Sequence, residues 1–237
     1  MLPYFFVEWL TGPQQQIRLP EESSKHLVQV LRKKAGEEVV LTDGLGSRAR
    51  ATILDENRKS CLVQIKFFQK EEEPVVKVSI AISLLKNASR FEWFLEKATE
   101  IGVTEIIPLI CQRTEKQSFR SERMQSIIIS AMLQSQQSRM PLLRPATKFQ
   151  QLVSSDEYSG GFVAHCAPGE KSELSSLIHA SGQPATPRRI LIGPEGDFAE
   201  NEIELALAKS YRPVTLGQNR LRTETAGIVA AVILKNS

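Results

Sequence analysis

Residues 69–74, Gln69-Lys70-Glu71-Glu72-Glu73-Pro74, divide the chain into two patterns that do not belong to one sheet. The segment is polar, charged and closed by proline, which is linker chemistry. Upstream, Val39-Val40-Leu41 leads into Asp43-Gly44, a favourable hairpin dipeptide, and residues 48–54 and 61–68 continue as strands. One short helix is expected there, capped by Ser23 or Ser24 and running to Leu31, with Leu27, Val28, Val30 and Leu31 as its apolar positions. Downstream, strand-like runs at 75–85, 105–110, 161–166, 189–192 and 213–216 alternate with helical spacing at 91–101, 121–136, 201–211 and 223–234. Such alternation predicts an α/β domain with a parallel sheet. Phe91, Phe94, Leu95, Ala98 and Ile101 share one helix face that stops at Gly102. Trp93 and Phe94 are assigned to the core rather than to a base-stacking surface.

The chain has 237 residues, enough to fold as one large or two small domains without covalent staples. Hydrophobic residues at 41% and charged residues at 24% exclude disordered, collagenous and coiled-coil classes. The longest apolar run, Ala226 to Leu234, is too short to span a bilayer. The N-terminus lacks the basic region and cleavage site of a signal peptide. Cys61, Cys111 and Cys166 are odd in number and far apart, without a CxxC, so neither a disulfide framework nor a zinc knuckle is expected. These features predict a reduced, cytoplasmic, soluble protein. The final helix, apolar on nearly every side, is read as buried core. Positive charge gathers at Lys25, His26, Arg32, Lys33 and Lys34, and again at 112–148, where seven Lys/Arg face two Asp/Glu. Such patches attract polyanions, although a solvated helix face accounts for either one equally well.

The segment Leu191-Ile192-Gly193-Pro194-Glu195-Gly196-Asp197-Phe198 runs from an apolar strand through a glycine turn into a helix, and Thr215-Leu216-Gly217 to Thr223-Glu224-Thr225-Ala226 repeats that order. Ligands of open parallel sheets bind at the carboxyl ends of strands, and glycine there lets them approach the backbone. Two such turns on adjacent strands would form one pocket. Neither turn is a GxGxxG or a GxxxxGK[ST] sequence, and no HExxH, GxSxG or metal-spaced His/Cys/Asp set occurs. Ordinary dinucleotide, P-loop and hydrolase chemistry therefore lacks its usual residues. His165 ends a strand and is read as a core or surface histidine.

GPEGDF followed by LGQNRLRTETA resembles the signature of the RsmE-type 16S rRNA (uracil-N3)-methyltransferases, members of the SPOUT superfamily. FEWFLEKATEIGVTEIIP (91–108), His26-Leu27, Val30-Leu31-Arg32 and Ala131 to Pro141 extend the resemblance along nearly the whole chain. It implies a small PUA-like β-barrel that binds RNA over 1–70. A SPOUT methyltransferase domain over 71–237 would follow, with a deep trefoil knot at about 189–237. It departs from the family at Asp197, where a second glycine is usual, and at Ala199, which lacks a capping hydroxyl worth about 1 kcal/mol. Asp197 or Asn201 are candidates to replace that cap. In the glutamine-rich stretch Leu133 stands for an acid and Gln137 for an arginine, with Arg139 nearby as a compensating cation.

The implied reaction is methyl transfer from S-adenosylmethionine to N3 of one uridine in 16S rRNA within the 30S subunit, by a homodimer that needs no metal and no membrane. Carried over, Leu191, Ile192, Gly193, Pro194, Glu195, Gly196, Leu216, Gly217, Leu221, Arg222 and Thr223 hold the cofactor, and the loop after Ala164-His165-Cys166 is a third wall. Arg222 would stabilise the uracil anion, and Glu224 or Glu195 would take the N3 proton. A first-turn acid favoured by the helix dipole is the other account of Glu224, and a carboxylate pinning its own loop the other account of Glu195. Lys33, Lys34, Arg113, Arg120, Arg123, Gln134 and Arg139 would hold rRNA, chiefly through phosphates, and Arg32 would make a specific contact. A non-catalytic rRNA-binding factor with the same fold, and a doubly wound nucleotide-binding enzyme with a non-standard turn, are the other two readings.

Overall fold

The computed structural model describes residues 2–115, 118–158, 160–180 and 188–236, and the chain divides into two units. The first holds the chain up to Glu73 together with Met132–Met140, and the second holds Pro74–Ala131 and the chain from Pro141 onward.

In the first unit, β1 (Tyr4–Phe6), β2 (Gln16–Arg18), α1 (Glu21–Lys25), β3 (Glu38–Thr42), β4 (Ser47–Asp55) and β5 (Leu62–Lys70) follow in order. The sheet runs β1-β3-β4-β5-β2, with β1 parallel to β3 and every other pair antiparallel. The turn after β3 is held by the Asp43 carboxylate, whose Oδ1 accepts from Leu45 N at 2.8 Å and Ser47 N at 3.1 Å. Ala49, Ala51 and Ile53 alternate inward along β4 and meet Leu41, Val63, Ile65 and Leu27 in one core. The helix differs from expectation. It starts after Pro20, and a π turn at His26–Val30 follows it. Ser24 lies inside it and caps nothing: its Oγ donates to Leu19 O at 3.1 Å and accepts from Cys61 N at 2.9 Å, tying the helix to the sheet. The wider turn leaves Val30 and Leu31 exposed while Leu27 is buried.

The segment 132–140 falls within the first unit, not in the α/β part of the chain. Ser138 O accepts from Gly46 N at 2.8 Å and from Thr42 Oγ1 at 3.2 Å, and Met140 N donates to Gly44 O at 3.0 Å. The Asp43-Gly44 turn thus pairs with a strand-like return that carries no β pattern of its own.

The second unit contains β6 (Val78–Ser83), α2 (Ala88–Ile101), β7 (Glu105–Ile110), α3 (Ser121–Gln134, its last residues in the first unit), β8 (Leu142–Leu143), β9 (Thr147–Lys148), α4 (Phe149–Val153), β10 (Gly161–Ala164), β11 (Ser172–Glu173), α5 (Leu174–Ala180), β12 (Arg188–Ile192), α6 (Glu200–Ala208), β13 (Tyr211–Thr215) and α7 (Thr223–Asn236). The sheet is parallel throughout, in the order β11-β13-β10-β12-β6-β7-β8, with β9 also on β7. Every residue of β6 and β12 is buried, as expected of central parallel strands covered on both faces. The Asn87 side chain caps α2 by accepting from Ser89 N, and the helix ends at left-handed Gly102. Phe94 on its inner face is fully buried, whereas Trp93 is 44% exposed and is not core. The helix spacing that buries Phe91, Phe94, Leu95 and Ala98 leaves position 93 outside.

After β13 the chain does not stay at that end of the sheet. It returns across β10 and β12, roughly 10 Å at one strand spacing each, and α7 packs against β6, β12, α2 and α5. Gly227 permits this seat: a Cβ there would lie 2.7 Å from the Phe94 ring and 2.9 Å from Ile82 Cδ1. Arg188 Nη1 donates to Leu234 O at 2.6 Å and ties the far end of α7 to β12. The opposite face of α7 is not buried, with Val232 42% exposed and Ile228 and Val229 half-buried. Gly227→Leu is expected to lose about 3 kcal/mol to overpacking and regain about 1 in helix propensity. Urea unfolding should therefore show a net loss near 2 kcal/mol.

Candidate functional site

β13, β10 and β12 lie side by side, and their register levels Ala164 with Ile192 on one flank and Val214 on the other. These three residues line a cavity of about 540 Å³. It opens at the carboxyl ends of the strands, where open α/β sheets take ligands, and its size suits a small molecule. The two glycine turns are not on adjacent strands. β10 separates β12 from β13, so the loop that begins His165-Cys166 is a full third wall.

The turn after β12 is fixed by its own residues. Asp197 N donates to Pro194 O at 2.9 Å, and Phe198 packs on Phe149 with ring centroids 5.1 Å apart. A Cβ on Gly193 would sit 3.1 Å from Phe198 N and from its ring, closer than ordinary contact, so a larger residue would push Phe198 back by a few tenths of an ångström. Arg113 Nη1 donates to Gly196 O at 2.8 Å and to Phe198 O at 3.2 Å. Glu195 Oε1 accepts from Lys86 N at 3.3 Å. Asp197 has φ +64°, the left-handed region a glycine favours. Its carboxylate accepts from Phe198 N at 2.8 Å and Cys166 N at 2.7 Å. Neither Asp197 nor Asn201 caps α6. Glu202 does part of that work, its Oε2 accepting from Ala199 N and its Oε1 from Gln112 N, both at 2.9 Å.

In the wall after β13, Gly217 has φ +132° with open space where a Cβ would stand. Its N–H donates to Thr215 Oγ1, and that hydroxyl donates to Gly217 O at 2.8 Å. On the middle wall, both ring nitrogens of His165 are buried without a hydrogen-bond partner. Burial pushes its pKa below the ordinary value of 6.5, nearby Lys171 pushes the same way, and Asp197 opposes. The imidazole is therefore neutral near pH 7 and presents one donor and one acceptor.

Of the expected cofactor residues, Ile192, Gly193, Pro194, Glu195, Leu216, Gly217, Leu221, Arg222 and Thr223 line this cavity. Leu191 does not. Strand alternation turns it into the core beside Ala81 and Val163. Gly196 is not part of the lining either, and its carbonyl is taken by Arg113. Glu224 lies outside the lining, buried in the first turn of α7, with Oε1 3.7 Å from Arg90 Nε and Oε2 unpartnered. Lys171, Asp197, Asn219 and Arg220 line it without having been singled out for the cofactor. Asp197 was visible as a departure from glycine and as a candidate cap, and Lys171 only through its loop, which shares no pattern with the glycine turns.

The expected RNA contacts separate by what already holds them. Arg113 is engaged on the 196–198 turn. Arg123 makes a bidentate pair with Glu92 at 2.5 and 2.7 Å. Lys33 bonds Glu37 at 2.7 Å, and Lys34 sits 3.4 Å from Glu56. Arg139 Nη2 donates to Glu71 O at 2.6 Å, with its guanidinium against Gly46. Arg32, Arg120 and Gln134 are exposed. Among the described residues no three His, Cys, Asp or Glu side chains gather as a metal site, and no helix is long and apolar enough to cross a membrane.

Residues 71–235 match the RNA methyltransferase domain family, and 19–66 match the RNA methyltransferase PUA domain. The ribosomal RNA small subunit methyltransferase E of Rickettsia conorii is 30% identical over 217 residues, 91% of this chain and 87% of that protein. A probable rRNA-methyltransferase from Porphyromonas gingivalis superimposes with a TM-score of 0.86 at 36% identity, covering 97% of this chain and 95% of that one. The ribosomal RNA small subunit methyltransferase E of Neisseria gonorrhoeae, solved bound to S-adenosyl methionine, gives 0.85 at 26% identity over 98% of this chain and 95% of that one. The cavity lies wholly inside the segment matched by the first domain family, and the likeness runs nearly end to end. The chain belongs to the ribosomal RNA small subunit methyltransferase E family of RNA methyltransferases.

Proposed function

We propose that this protein is a cytoplasmic S-adenosylmethionine-dependent methyltransferase that methylates N3 of one uridine in 16S rRNA within the 30S subunit. The observation that carries this reading is the cavity walled by the loops after β10, β12 and β13, in a chain of this family. The lining suits the cofactor. Ile192, Leu216 and Leu221 offer apolar surface, the glycine turns offer backbone amides and carbonyls, and His165 offers an unsatisfied donor and acceptor. Bound there, S-adenosylmethionine supplies an electrophilic methyl group.

The rest falls to the protein. Uridine N3 carries a proton at neutral pH, and attack requires its loss. Arg222, on the cavity lining, stabilises the resulting anion by charged hydrogen bonds. Two carboxylates are available to take the proton. Glu195 lines the cavity and keeps one oxygen on Lys86 N, whereas Glu224, buried outside the lining beside Arg90, keeps the unpartnered oxygen Oε2 and would act only through an intervening group. Orienting the two reactants supplies much of the rate without a strong base.

Three further features belong to this reading. The return of 216–236 across β10 and β12 supports a trefoil knot in the second unit. The five-stranded sheet, matched over 19–66 by the PUA family, supports a PUA-like RNA-binding barrel. The apolar strip Ile228, Val229 and Val232 on α7 supports a homodimer joined through that helix.

Incubating the protein with methyl-labelled S-adenosylmethionine and undermodified 30S subunits is expected to place label in 3-methyluridine at one position. Cofactor binding without transfer would instead favour a non-catalytic rRNA-binding factor. Gly217→Trp fills open space at a strained φ and is expected to weaken cofactor binding more than 100-fold. Unchanged affinity in a folded variant would contradict the site. Val232→Glu, exposed in the protomer, should shift the dimer to monomer in sedimentation. Protonating His165 adds a cation beside Lys171 in a cavity that receives a sulfonium. Because its pKa is depressed in the fold, the neutral form holds down to below pH 6.5, and cofactor affinity is expected to fall as pH drops through that lower pKa. Titration calorimetry of wild type and His165→Asn, which should lack this fall, checks it.

A further inference from the structure

We propose that Asp197 is a positioning residue that locks the loop after β10 onto the turn after β12 and so sets the width of the cofactor cavity; this rests on the cavity being the cofactor site. The β10–β12 ladder stops at the pair Ala164 and Ile192. Beyond that pair the two chains separate into the walls of the cavity, one beginning His165-Cys166 and the other Gly193-Pro194. Among the described residues the hydrogen bond that rejoins them is Cys166 N to Asp197 Oδ2, at 2.7 Å. The other oxygen accepts from Phe198 N at 2.8 Å, which fixes the carboxylate to the rigid side of the pair. That side is held by Pro194 O, by Arg113 and by the Phe198–Phe149 contact. In the loop after β10, Ala167 packs against the core and Lys171 Nζ donates within the loop, to Ala167 O; among the described residues its polar tie to the turn after β12 is the bond to Asp197.

The backbone at Asp197 makes the role specific. At φ +64° a glycine would sit without strain, and an aspartate is tolerated because its short polar side chain bonds locally. The strain of a side chain at this position is offset by two bonds to a carboxylate, stronger than bonds between neutral groups. A small residue would keep the turn and lose the clamp. Asp197 also lines the cavity beside His165 and Lys171, so the loop it restrains is the one that presents the unsatisfied imidazole.

Cys166 provides a direct readout. Its thiol is exposed, and its amide is the one held by Asp197. Burial pushes the Cys61 and Cys111 thiols up to about 11 and about 12, so neither competes for an alkylating agent in the folded protein. The test measures iodoacetamide alkylation of Cys166 without cofactor, S-adenosylmethionine binding by calorimetry, and the KM for S-adenosylmethionine against kcat. It compares wild type, Asp197→Gly and Asp197→Asn, with thermal unfolding as the control. Asp197→Gly is expected to fold normally, to alkylate Cys166 at least fivefold faster and to bind S-adenosylmethionine about tenfold more weakly. Its KM should rise in proportion, with kcat within twofold. Asp197→Asn, which keeps one acceptor oxygen, should recover part of each effect. An unchanged alkylation rate in Asp197→Gly overturns the clamp whether or not the cofactor binds. Faster alkylation with unchanged affinity overturns its role in the cavity. Failure of wild type to bind S-adenosylmethionine overturns the cofactor reading and leaves the alkylation result to judge the clamp.

Discussion

The pairing of β10 between β12 and β13 is the constraint on which the site depends. It levels Ala164, Ile192 and Val214 and sets three loops rising from one floor. It also displaces β13 from β12, so the chain that leaves β13 must travel back over two strands before α7 meets β6 and α2. That return, residues 216–222, is the wall of the cavity that follows β13. The site and the unusual course of the chain are one geometric consequence. Gly227 and Arg188 secure the end of the return, the first by close approach to Phe94 and the second by a bond to Leu234 O.

Loops of this kind bind well only if they are ordered beforehand, because ordering them on binding subtracts from affinity. Here the ordering is polar and local. Arg113 holds two carbonyls of the 196–198 turn, Glu202 joins Ala199 to Gln112, Lys86 N meets Glu195, and Asp197 reaches Cys166. These charged groups serve the backbone, and amides, carbonyls and apolar side chains share the lining with Lys171, Arg220 and Arg222.

Much of this was legible from residues. The change of pattern at 69–74, the strand–glycine–helix turns and the face of α2 all follow from periodicity, and the structure keeps them within a few residues. What escaped depends on partners distant in sequence. Ser24 looked like a cap because serine precedes an apolar run, but Cys61 N claims its hydroxyl. The stretch 132–140 reads as a helix end, yet its carbonyls and amides pair with the turn at 42–46. Leu191 and Ile192 are indistinguishable by composition, and only the pleat decides which one faces the cavity. Arg113, Arg123 and Arg139 read as free cations in a basic stretch. Each has an intramolecular partner that no local pattern reveals. Strand order was hidden for the same reason: nothing in the sequence of β10 says that it enters between the two glycine-bearing strands.

Amide hydrogen exchange with and without saturating S-adenosylmethionine addresses the central claim most directly, since it reports on each loop separately. A cofactor held by the three loops should slow exchange together in 165–168, 193–198 and 216–223, at the ends of β10, β12 and β13, and leave β3 to β5 unchanged. Protection confined to one loop, or lying in the five-stranded sheet, would contradict a cofactor site built on those three strand ends.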